Sequence, residues 1–187
     1  MAKTTGRTKK TETFTTRLEP KTKYVLELLA RLSGRSIAKT LEEGIHLQAA
    51  SAPLVVTGRP DLSQTLDSMM SVLWSPQEWK RLVALAAVAP HLLSHLEECK
   101  LALLFQSRAL CSPPVYSKNG AVKRVELTPR LIEIAWPLIE ELAELMAEGK
   151  PAPHPTLHDI EKAYGEPLSF QTDTEGLLMD FSAFHED

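Results

Sequence analysis

Cysteine is nearly missing from this chain. Cys99 and Cys111 are the only two in 187 residues, which excludes a disulfide framework and fits a reducing, cytoplasmic setting. No apolar run approaches the roughly 18 residues that a membrane-spanning helix needs, so none is expected. Four Lys/Arg occur in the first ten residues, but no apolar stretch follows them, as a secretory signal would require. Glycine is scarce, at eight residues, and there is no Gly-rich phosphate loop. Gly-x-Ser-x-Gly and His-Glu-x-x-His are also lacking. We therefore expect no enzyme and no cofactor. Aromatics make up only 6%, and the charge around them is wrong for stacking on single-stranded nucleic acid.

Charge is present but unevenly placed. The net charge of −3 hides a basic head and an acidic body. Residues 1–50 hold ten Lys/Arg against five Asp/Glu, a net of +5, and residues 51–187 hold eleven against nineteen, a net of −8. A basic head on an acidic body points to a head that meets a polyanion.

The order of elements follows from the hydrophobic period. Residues 1–10 read as a disordered basic arm. In residues 11–20, Phe14, Thr16 and Leu18 alternate with Thr13, Thr15 and Arg17, and Pro20 ends the run. This period of two predicts a short strand. From Lys21 the period becomes helical through Val25, Leu26, Leu28, Leu29 and Leu32, with Gly34 as the stop. Ser36 caps a second helix carrying Ile37, Leu41 and Ile45. Residues 51–60, with two prolines and a glycine, predict a linker.

The rest reads as helical. Residues 61–73 form one amphipathic segment. Ser75-Pro76-Gln77-Glu78 predicts a capped start for a helix reaching about Leu110 and breaking near 87–89, ahead of Pro90. Asn119-Gly120 between Val115/Tyr116 and Val122/Val125 predicts a small hairpin. A helix opens at Thr128-Pro129 and ends at Gly149. Residues 151–187, with eight acids and one lysine, read as an extended acidic tail with a short helix at 156–164. The organisation is thus an arm at 1–10, a head at 11–50, a linker at 51–60, a helical domain at 61–150 and a tail at 151–187.

One strand and two short helices cannot bury a core by themselves, and a lone strand leaves both edges unpaired. Two copies solve both problems, with the strands pairing antiparallel above four helices. Here the segment resembles the ribbon-helix-helix family of DNA-binding proteins. The resemblance rests on Phe14-Thr15-Thr16-Arg17-Leu18-Glu19-Pro20, on Leu26, Leu29 and Ala30, on Gly34-Arg35-Ser36, and on Ile37, Leu41, Gly44 and Ile45. It covers residues 11–50. Thr16 and Gly44 depart from the family's pattern, which favours a larger aliphatic and an alanine.

The resemblance implies a homodimer that lays a two-stranded ribbon in the major groove of double-stranded DNA. Thr13, Thr15 and Arg17 would face the bases. Arginine can pair bidentately with guanine, and threonine offers a hydroxyl and a methyl. Arg35, Ser36, Ile37 and Lys39 would hold phosphate at the opening of the second helix, and Lys9 and Lys10 of the arm would add backbone contacts. The role implied is a transcriptional repressor. The alternative is a plasmid or mobile-element adaptor (relaxosome accessory, partition factor or antitoxin) whose part at 61–187 binds a partner protein.

Weaker patterns remain. His91, His95 and Cys99 lie at i, i+4 and i+8, a spacing that offers zinc-type ligands on one helical face. The surrounding leucines favour structural histidines instead, and no metal is expected. His154 and His158 repeat the spacing in a Pro-rich segment. Trp74, Trp79 and Trp136 read as core anchors. Glu42/Glu43, Glu97/Glu98 and Glu140/Glu141 read as solvated faces.

Overall fold

A computed structural model describes residues 15–57, 59, 63–165 and 176–185. The chain divides into two compact units, Met1–Gln48 and Ala49–Asp187. Among the described residues the architecture is mainly helical, with seven α-helices and two small antiparallel sheets.

In the first unit, residues 15–19 take no regular hydrogen-bonded form within the chain. A strand with no partner has no ladder to join, so the single chain neither builds nor excludes a ribbon. Pro20, expected to end a strand, instead opens α1 (Pro20–Ser33), where its missing N–H costs nothing. Gly34 ends α1 at φ 64°, and the Arg35 amide donates to the Ala30 carbonyl at 3.0 Å. That left-handed cap turns the chain into α2 (Ile37–Ser51). Ser36 caps α2, accepting from the Lys39 amide at 3.2 Å.

The second unit begins where composition predicts a linker. Along Leu54-Val55-Val56 the apolar side chains alternate in exposure, and β1 (Pro53–Val55) pairs antiparallel with β2 (Ser63–Thr65). Leu54 and Val56 are buried, so at 53–57 the chain belongs to the core. The expected helix over 61–73 starts only at α3 (Leu66–Leu73), because Thr65 and Ser68 form a reciprocal capping box there.

The Ser75 start is also displaced. The Ser75 hydroxyl accepts from the Gln77 amide at 3.2 Å, a local turn that leaves Pro76 outside the helix. α4 therefore runs Glu78–Val88. Pro90 breaks the long helix as its ring predicts, and a single 3-10 turn covers Pro90–Leu92. A second start then follows. Ser94 and Glu97 cap α5 (His95–Gln106), with the Ser94 amide donating to Glu97 Oε2 at 2.8 Å.

The expected hairpin is present. β3 (Val115–Tyr116) pairs with β4 (Val122–Leu127) around Gly120 at φ 79°, a sign of φ that glycine supplies freely. α6 (Pro129–Ala147) continues through Pro137. Pro137 and Glu133, whose carbonyl it leaves without an amide, are both exposed, so water can serve that carbonyl.

The tail is not simply extended. Its short helix is α7 (Leu157–Tyr164), opened by a capping box between Thr156 and Asp159. β5 (Leu177–Asp180) adds to the other edge of β4, giving the order β3-β4-β5. Ile160 is fully buried and Phe181 is 5% exposed. Both belong to one core with Leu103, Leu104, Leu127, Ile132 and Ile139.

Three elements of this unit meet at a charge. Lys100 on α5 donates to Glu78 of α4 at 2.6 Å and to Glu140 of α6 at 3.3 Å, and it lies 5.5 Å from the Trp136 ring centre. Lys100 is 8% exposed. Burial alone would raise the Glu78 carboxyl, but the Lys100 hydrogen bond and charge outweigh it and hold the carboxyl below its ordinary range. Burial alone would lower Lys100, but Glu78 and Glu140 outweigh it and hold the ammonium above its ordinary range. Glu78 therefore stabilises the fold above about pH 4.3, and that part is lost on acidification through its lowered value. Lys100 stabilises below about pH 10.4 and loses its part as pH rises through its raised value. Lys100→Ala should cost roughly 1–3 kcal/mol near neutrality, since both glutamates stay partly solvated. Denaturant melts of both proteins from pH 3 to 8 check this, and a gap that stayed constant down to pH 3 would contradict it.

Candidate nucleic-acid interface

The first unit hides very little of its own apolar surface. On α1, Val25, Leu28, Leu29 and Leu32 recur at helical spacing and are 46, 36, 49 and 85% exposed. On α2, Ile37, Leu41 and Ile45 recur at every fourth position and are 49, 39 and 60% exposed. Ala30 is the one buried residue of α1, and α2 buries none. Two uncovered aliphatic stripes on adjacent helices are unusual for a soluble surface. Covering them would contribute roughly 1 kcal/mol for each half-exposed side chain.

The expected DNA-facing residues are distributed as follows. Thr15 and Arg17 are described and exposed. Thr13, Lys9 and Lys10 lie outside the described residues. Ser36 and Ile37 stand at the opening of α2, whose first amides lack a carbonyl one turn earlier. Arg35 and Lys39 flank that opening, but neither cation is isolated. Arg35 pairs with Glu43, and Lys39 pairs with Glu42 at 3.3 Å.

Arg31, in the last turn of α1, is an addition to the residues that the sequence singles out. It joins Arg35, Ser36 and Ile37 in lining a cleft of about 510 Å³ at the turn between the helices. Its spacing of four residues before Arg35, with Gly34 reversing the chain between them, was the available signal. Arg17 and Arg31 have no ion pair among the described residues. The chemistry on offer is thus guanidinium and hydroxyl donors, with one neutralised pair of cations beside them.

The three metal candidates His91, His95 and Cys99 do not form one cluster. Because the chain leaves the helix at 89–94, His91 sits in the 3-10 turn while His95 opens α5. Both histidines are exposed, so the structural-histidine reading fails as well. Cys99 is buried, its sulfur 4.0 Å from His95 Nε2. No group of three potential ligands occurs among the described residues. Burial pushes the Cys111 thiol up to about 11, keeping it protonated at neutral pH.

Trp79 is a buried anchor, but Trp74 is 62% exposed beneath Arg81, whose guanidinium lies 5.2 Å from its ring centre. No helix among the described residues is long and apolar enough to cross a membrane. Comparison with family models, with curated proteins and with solved structures finds no match to this chain.

Proposed function

We propose that the protein is a homodimeric, sequence-specific binder of double-stranded DNA that acts as a transcriptional regulator. Residues 11–18 of two copies would form the ribbon. The observation that carries the reading is the pair of uncovered aliphatic stripes on α1 and α2, together with the net +5 of residues 1–50. A helix pair that cannot bury its core alone needs a second copy, and a second copy would place the two strand segments, each carrying Arg17, side by side. Arg17 and Thr15 would then read base edges, while Arg31, Arg35, Ser36 and Lys39 would meet phosphates.

The test separates reading from holding. Arg17→Ala should cost about 1–3 kcal/mol per base contact on the preferred sequence and flatten sequence preference. Selection of bound duplexes from a random pool supplies the preferred sequence, and titration against it and a scrambled duplex measures the loss. Equal losses on both duplexes would mean that the strand does not read bases.

A second reading keeps the DNA-binding head and adds a protein partner on the second unit, as a plasmid or mobile-element adaptor would require. It is favoured by Val115, Tyr116 and Leu178, which stand 45, 53 and 56% exposed on the edge strands of the three-stranded sheet.

A further inference from the structure

Within the proposed interface, the two cations flanking α2 already have anionic partners on α2 itself. The Arg35 guanidinium pairs with Glu43 and the Lys39 ammonium with Glu42. These four side chains sum to no net charge, although residues 1–50 as a whole are strongly basic. All four remain between 33 and 62% solvent-accessible, so each pair can be opened by an incoming anion. A carboxylate paired to arginine presents oxygens much as a phosphate does.

We propose that Glu43 and Glu42 are built-in competitors for DNA phosphate, which must displace them to engage Arg35 and Lys39. The inference rests on the DNA-binding reading and concerns how that binding is tuned. A phosphate held on any sequence is worth less by the strength of the pair it breaks. Base contacts from Arg17 are unaffected, since Arg17 has no such partner among the described residues. The acids therefore lower affinity for random DNA and leave discrimination to the strand. They also shallow the salt dependence, because an Arg35 neutralised in the free protein contributes less to counterion release.

The experiment titrates the full chain against a random duplex at several salt concentrations. Glu43→Gln should tighten binding about two- to fivefold at low salt, the range of an exposed ion pair. It should also steepen the log affinity against log salt slope by up to about one unit. Glu42→Gln should act in the same direction through Lys39, and it serves if the first variant loses helicity. Glu141→Gln, on exposed α6 surface, changes net charge equally and should leave the slope alone. Adding Arg35→Gln to Glu43→Gln should abolish the gain. Equal effects of the Glu43 and Glu141 variants would overturn the competition. Absence of duplex binding by the unaltered protein at every salt concentration would overturn the DNA reading itself.

Discussion

Deleting residues 151–187 should unfold the second unit. The acidic composition of this segment, with a net charge of −7, suggests a detachable tail, but its described parts are built into the core. The Ser107 hydroxyl donates to the Pro155 carbonyl at 2.6 Å in a buried setting, fixing the approach to α7. Ile160 then enters the core without solvent contact. β5 completes the sheet with four residue pairs, Arg124↔Asp180 through Leu127↔Leu177, and Phe181 follows it inward. Losing a buried Ile or Phe side chain costs about 2–5 kcal/mol each. A domain of this size has only about 5–15 kcal/mol in total. Both anchors and a ladder together approach that total. Ile160→Ala and Phe181→Ala singly should lower the melting temperature by several degrees, and the truncation should lose cooperative unfolding. Circular dichroism melts of the three variants decide it. A truncated protein that melts cooperatively near the full-length temperature would show that the segment is dispensable.

Replacing Leu29 or Leu41 by Glu should convert the protein from dimer to monomer and remove its DNA binding together. Both side chains lie within the uncovered stripes, at 49 and 39% exposure. On a free monomer surface a carboxylate there costs almost nothing. In a dimer core it must be desolvated without a partner, at several kcal/mol. For the unaltered protein, unfolding of the head should move to higher temperature with concentration, because a dimer that binds only folded chains is stabilised by mass action. Sedimentation at several micromolar concentrations reads the oligomeric state, and duplex titration reads the consequence. If Leu29→Glu stays as associated as the parent, the stripes are not the dimer contact. A monomeric variant that still binds duplex with full affinity would detach DNA binding from dimerisation.

Local chemistry makes much of this protein legible in its residues alone. Helix α1 and its stop at Gly34 follow from aliphatic period and from glycine's access to positive φ. The Ser36 cap, the Asn119-Gly120 hairpin, the break before Pro90, α6 from Pro129 and the short helix after Thr156 are likewise short-range effects. The basic head and acidic body are sums over residues and need no fold. Competition between partners distant in sequence is not legible in that way. Pro53 to Val56 reads as a linker because two prolines and a glycine dominate the composition around it. It is core because residues 53–55 find a facing strand at 63–65, and Leu54 and Val56 pack into the buried cluster. Residues 177–180 read as a tail because their acidic surroundings set the average, yet Leu177 and Met179 share a register with Leu127 and Val125. Glu43 and Glu140 read as solvated acids, and only the fold brings Arg35 and Lys100 to them. Sequence alone determined where charge of each sign accumulates and, apart from the starts of α3 and α4, which segments are helical. Tertiary structure decided which apolar faces are covered, and it left those of α1 and α2 open, because two short helices enclose too little volume to hide them.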